Sequence, residues 1–120
     1  MNDDPILRVV PRPLDINANG HIFGGWVLSQ MDIAGGIVAA RESQGATATV
    51  AIEAMQFIAP ILLGDLISIY ASVERRGRTS LGIRLDVVAS RNRGRDEVKV
   101  TSGLLTFVAL DENHRPRELP

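Results

Sequence analysis

The chain has 120 residues and no cysteine. That excludes disulfides, a thiolate nucleophile and every cysteine-ligated metal site. Histidine is scarce as well: His21 and His114 stand far apart, and without cysteine beside them no metal-ligand cluster is expected. No run of about 18 apolar residues occurs, so no membrane span is expected. The N-terminal Met1-Asn-Asp-Asp-Pro5 lacks the basic-then-apolar pattern of a secretory signal. Net charge is −1, with no block of like charge, which argues against nucleic-acid or membrane-surface binding driven by bulk charge. Neither a G-x-S-x-G nucleophile elbow nor a G-x-x-x-x-G-K-[ST] phosphate loop is present. These absences fit a cytoplasmic location and leave no cofactor to expect.

What is present is an ordinary globular composition, 45% apolar and 22% charged, at a length that fits one compact domain over 1–120. Ile6 to Val10 reads as an edge strand closed by Pro11-Arg-Pro13. The loop Asp15-Ile-Asn-Ala-Asn-Gly20 is dense in turn formers. From Trp26 to about Glu42, Val27, Met31, Ala34 and Val38 recur at helical spacing. Gly45 is the expected C-terminal cap. The period then changes to alternation in Thr47–Ile58, Leu66–Arg75, Ser80–Arg91 and Val98–Leu110, four further strands joined by tight turns. The tail from Asp111 is polar and is expected on the surface. One helix followed by a run of strands implies an α+β domain, with the helix laid across an antiparallel sheet of about five strands. The helix is apolar around most of its circumference and must be covered on nearly all sides, which points to a dimer.

Asp32 is the sharpest feature: a carboxylate in an apolar helix, with Leu28, Ser29, Gly35 and Gly36 as its surface neighbours. Burying it costs several kcal/mol unless it is paired, so it either carries chemistry or lies on a solvated edge or against an arginine. Gly35-Gly36 in mid-helix costs about 1 kcal/mol per glycine and lets another chain or a ligand approach closely. Gly24-Gly25 at the helix start leaves backbone N–H groups free for an anion or oxyanion, although glycine-rich helix starts are common. Asn17 and Asn19 could contact a substrate or simply support a turn. Asp15 and His21 form an Asp-x5-His pair compatible with acid–base work, while an exposed or capping histidine is the plainer reading. Arg75-Arg-Gly-Arg-Thr-Ser80 gathers arginines and hydroxyls suited to phosphate, or makes a solvated basic hairpin. Arg91, Arg93 and Arg95 make a second basic loop, read as solvated.

Assembled, Asp15-Ile-Asn-Ala-Asn-Gly-His-Ile-Phe-Gly-Gly-Trp-Val-Leu-Ser-Gln-Met-Asp32 closely resembles the opening of hotdog-fold acyl-CoA thioesterases of the short bacterial YciA type. The likeness continues through Val50 to Pro60, Gly64-Asp65, Gly77-Arg-Thr-Ser80 and Thr106-Phe-Val-Ala109. It implies a long central helix wrapped by a curved sheet, a homodimer joined at the sheet edges as the minimal unit, and a hexamer made of three dimers. It also implies hydrolysis of acyl-CoA to CoA and a carboxylic acid. By the same resemblance Asp32 is the base or nucleophile, and Asn17 faces Asp32 of the partner chain. Gly24 and Gly25 would hold the thioester oxygen, with Gly77, Arg78, Thr79 and Ser80 near CoA. A hydratase using Asp15 and His21 and a non-catalytic acyl-CoA binding module are the alternatives.

Overall fold

A computed structural model describes residues 4–120. Its elements follow the expected order with shifted ends: β1 (Leu7–Val9), a 3-10 turn (Pro13–Asp15), α1 (Gly24–Ser43), β2 (Thr47–Phe57), β3 (Leu66–Arg76), β4 (Ser80–Arg91) and β5 (Asp96–Ala109). The five strands form one antiparallel sheet in the order β1-β3-β4-β5-β2. Alternation along β4 turns Leu81, Ile83, Leu85, Val87 and Ala89 inward, joined by Ile67 and Ile69 of β3 and Leu105 and Phe107 of β5. Val27, Met31 and Ala34 of α1, at the expected helical spacing, complete this core. Complete burial of a side chain such as Met31 contributes about 1.5–3 kcal/mol.

α1 starts two residues earlier than Trp26. Its mid-helix glycines have different surroundings. A Cβ placed on Gly35 would lie 2.8 Å from Phe107 Cζ and 2.9 Å from Phe107 Cε1. The group that comes close there is therefore the chain's own aromatic ring, not a ligand or a second chain. Gly36 has no atom within 4 Å of the same position.

The helix end also departs from expectation. Gln44, not Gly45, takes the left-handed cap conformation, with φ 57°. Gly45 is needed for space instead, since a Cβ there would fall 2.5 Å from Arg117 Nη2. Arg117 donates from Nη1 to the Ser43 carbonyl at 2.9 Å and from Nε to the Leu110 carbonyl at 2.8 Å. A cation at a helix C-terminus opposes the negative end of the helix dipole. The polar tail lies mostly exposed on the surface, as expected, and Arg117 ties it to the helix end.

β2 is the long edge of the sheet. Among the described residues it pairs with β5 alone, and the pairing slips between Thr49 and Ala51 and again between Glu53 and Gln56. Ala54, inside the second slip, has a left-handed φ of 50°. Val50, Ile52, Phe57 and the following Ile58 are exposed on this edge.

Candidate active site

The site begins where the loop becomes α1. An antiparallel bridge between Ile16 and Ile22 and a Phe23 N–H to Asp15 carbonyl bond of 3.1 Å fold the 16–22 segment into a closed loop. Inside it, Asn17 Oδ1 accepts the backbone N–H groups of Asn19 at 2.9 Å and His21 at 3.1 Å. The turn-supporting role of Asn17 is therefore real, but it occupies only the side-chain oxygen. The amide nitrogen has no acceptor among the described residues.

Phe23 is the residue before the helix, and it supplies no side-chain cap. Trp26 N–H bonds to the Phe23 carbonyl at 3.1 Å, while the N–H groups of Gly24 and Gly25 find no acceptor among the described residues. A polar side chain at that position would typically add about 1 kcal/mol. Its absence leaves uncapped donors, backed by the positive end of the helix dipole.

The two glycines do not face the same space. Gly24 borders a depression of about 250 Å³ with Asn17, His21, Val27 and Phe57. Gly25 borders another of about 270 Å³ with Leu28, Ser29, Asp32, Thr49 and Ile52. Successive helical residues are rotated by about a quarter turn, so the first turn of α1 forms a wall between the two spaces. Asn17 and Asp32 therefore line separate depressions of one chain.

Asp32 is exposed in the single chain. Its Oδ1 accepts a hydrogen bond from Thr49 Oγ1 at 2.5 Å, and no arginine pairs with it among the described residues. Thr49 was not among the residues singled out from sequence. Its place in an alternating strand gives no sign that it would meet a helix residue 17 positions away.

Asp15 has a different task. Its carboxylate accepts the Arg12 backbone N–H at 2.8 Å and the Arg12 guanidinium at 3.3 and 3.4 Å. The side-chain and backbone bonds from Arg12 hold its pKa below the ordinary carboxylate value. Asp15 closes the 3-10 turn and lines neither depression. Only His21 of the Asp-x5-His pair borders the space next to Asn17.

The Gly77–Ser80 turn closes on itself through a Gly77 N–H to Ser80 carbonyl bond of 2.8 Å. Thr49 of β2 pairs with Phe107 of β5, which pairs with Leu81 of β4. The turn thus lies roughly 10 Å across the sheet from Thr49, given strand spacings near 4.8 Å. It borders neither depression. Arg78 pairs with Glu118 at 3.2 Å on the open surface, a contact worth at most about 1 kcal/mol. No cluster of three metal-ligating side chains occurs among the described residues, and no helix there is long and apolar enough to cross a membrane.

Residues 19–94 match the family model of the thioesterase superfamily. The chain belongs to the thioesterase superfamily. Within it, this superfamily member is 44% identical over 119 residues to the acyl-CoA thioester hydrolase YciA of Salmonella typhimurium, covering 96% of this chain and 89% of that protein. A hexameric thioesterase from Yersinia pestis superposes with a TM-score of 0.92 at 38% identity, over 100% of this chain and 98% of the other. A hexameric hotdog-fold thioesterase of Campylobacter jejuni gives a TM-score of 0.91 at 35% identity, over 98% and 90% of the two chains. The fold is the hotdog fold, one long helix packed on a curved five-stranded antiparallel sheet.

Proposed function

We propose that this protein is an acyl-CoA thioesterase, hydrolysing an acyl-CoA thioester to CoA and a carboxylic acid. The observation that carries the reading is the exposed Asp32 carboxylate, held by Thr49 beside an uncapped helix start. Asp32 either deprotonates the attacking water or attacks the thioester carbon itself. The C–S bond then breaks, the thiolate of CoA takes a proton, and water supplies the oxygen of the acid. As charge develops on the carbonyl oxygen, the free N–H of Gly24 and the Asn17 amide nitrogen would stabilise it. Losing one such donor typically costs about 3 kcal/mol. Gly25, on the Asp32 side of the wall, lends a second positive backbone dipole. Arg78, Thr79 and Ser80 are the proposed CoA contacts, because the weak surface pairing of Arg78 yields easily to a phosphate. We place the reaction in the cytoplasm.

The two halves of this machinery need a second copy of the chain. Thr49 and Ile52 of β2 line the Asp32 depression, and Phe57 and Ile58, at the other end of the same edge, line the Asn17 depression. A two-fold axis crossing β2 near Ala54, midway between the two groups, would set Asp32 of one protomer opposite Asn17 of its partner. The unpaired apolar edge supports such an antiparallel pairing. We expect further assembly to the hexamer described for the Yersinia pestis and Campylobacter jejuni proteins; sedimentation velocity measures it.

Asp32→Asn preserves shape and removes the charge. It is expected to fold and assemble normally while butyryl-CoA hydrolysis, followed by thiol release, falls at least about a hundredfold. Wild-type turnover in that variant would overturn the mechanism. Binding of CoA esters by the unaltered protein without thiol release would replace it with a binding module. The engagement of Asp15 by Arg12 speaks against the hydratase alternative.

A further inference from the structure

Two sequence features have no part in the chemistry above: the Gly64-Asp65 pair between β2 and β3, and the basic residues around the β4–β5 hairpin. The structure brings one member of each together. Asp65 is 2% exposed. Its Oδ1 accepts from Arg91 Nε at 2.9 Å, and its Oδ2 accepts from Arg91 Nη2 at 3.1 Å and from the Leu62 N–H at 2.8 Å. Arg91 Nη2 also donates to the Pro60 carbonyl at 2.7 Å. A buried carboxylate needs such a partner, and the two-pronged geometry is one that arginine satisfies and lysine does not.

The segment held in this way is a wall of the Asn17 depression, which Ile58, Ala59, Pro60 and Ile61 line. One residue beyond the clamped Pro60 carbonyl, the Ile61 carbonyl accepts the Ile22 N–H at 2.9 Å. Ile22 stands two residues before Gly24, with the uncapped Phe23 between them. A continuous path of short contacts therefore runs from Arg91 at the end of β4, through Pro60 and Ile61, to the start of α1.

We propose that Arg91 and Asp65 form a positioning clamp for the helix start, setting the place of the Gly24 N–H relative to the thioester carbonyl. This rests on the thioesterase reading and adds two positioning residues to it. Neither touches substrate; both act through Pro60, Ile61 and Ile22. A misplacement of about 1 Å at a reacting centre can cost about a hundredfold in rate. An interaction made mainly in the transition state appears in kcat, not in KM.

The test is Arg91→Lys, which retains a cation near Asp65 but loses the fork and the Pro60 bond. Asp65→Asn, which retains the shape, is the second variant in case the first does not fold. Both are measured well below their melting temperatures, at the oligomer size of the wild-type protein. The expected result is a fall in kcat for butyryl-CoA of about tenfold or more, with KM changed less than about threefold. A lowered melting temperature with unchanged kcat and KM would make the clamp purely structural and overturn the proposal. A raised KM with unchanged kcat would overturn it too, by assigning the clamp to substrate binding. Absence of thiol release by the wild-type protein would instead refute the thioesterase reading.

Discussion

Replacing each of the two mid-helix glycines by alanine should change stability in opposite directions. At Gly35 the added methyl would meet Phe107 Cζ at 2.8 Å, Phe107 Cε1 at 2.9 Å and Leu85 Cδ1 at 3.3 Å. Carbon atoms pack best at roughly 3.5–4.0 Å, so the ring or the helix must retreat by most of an ångström. Phe107 of β5 is almost fully buried against Gly35 of α1, and such overpacking costs about 1–3 kcal/mol. Alanine recovers about 1 kcal/mol of helix propensity, leaving Gly35→Ala destabilised by up to about 2 kcal/mol. At Gly36 nothing lies within 4 Å, so Gly36→Ala keeps the propensity gain of about 1 kcal/mol. With roughly 4 °C per kcal/mol for a domain near this size, the two melting temperatures should separate by about 4–12 °C. Thermal and urea denaturation at one fixed protein concentration measure this, because assembly makes stability concentration-dependent. If Gly35→Ala is as stable as Gly36→Ala, the close approach of Phe107 does not explain the glycine. If Gly36→Ala alone is destabilised, the reasoning fails at that site as well.

Thr49→Val keeps the shape of the side chain and removes the donor to Asp32. Because Asp32 is exposed, water replaces the lost bond and the fold is preserved, while kcat/KM for butyryl-CoA falls by about tenfold, the low end for a bond to a charged group; unchanged kinetics would show the contact to be incidental. For Arg12→Ala the sign follows from the lowered pKa of Asp15. A depressed carboxylate contributes stability that is fully present above its unfolded pKa, about 3.9, and lost as pH falls through its folded value. Arg12→Ala should therefore raise the Asp15 pKa, followed by NMR titration, and make stability less steeply dependent on pH below about pH 4.

The helix and the strands were legible because their periods differ: Val27, Met31 and Ala34 repeat on a helix face, while Leu81 to Ala89 alternate. The helix cap was missed because glycine is the usual left-handed residue, whereas here Gln44 takes that conformation and Gly45 clears space for Arg117. Asp32 stood out as a charge among apolar neighbours. Its partner Thr49 could not, since their meeting depends on how α1 lies over β2 and on a slip in the strand register at that point. The division of Gly24 from Gly25 was present in the helical rotation between neighbours, but it acquires meaning only once the spaces on either flank are known. Asp65 and Arg91 are 26 residues apart, and only the closed sheet shows that Arg91, read from sequence as part of a solvated loop, is half-buried against the buried Asp65 carboxylate.

The open edge of β2 also bears on how the protein survives its own synthesis. Thr47–Phe57 is eleven residues long with Glu53 as its one charge, no proline and no lysine. It therefore lacks most of the gatekeepers that keep exposed strands from adding to one another without limit. In the dimer proposed above, a newly made chain would present a sticky template until its twin arrived, so partner capture would compete with aggregation. The bulges and the left-handed Ala54 interrupt that template, restricting the registers in which strangers can join it.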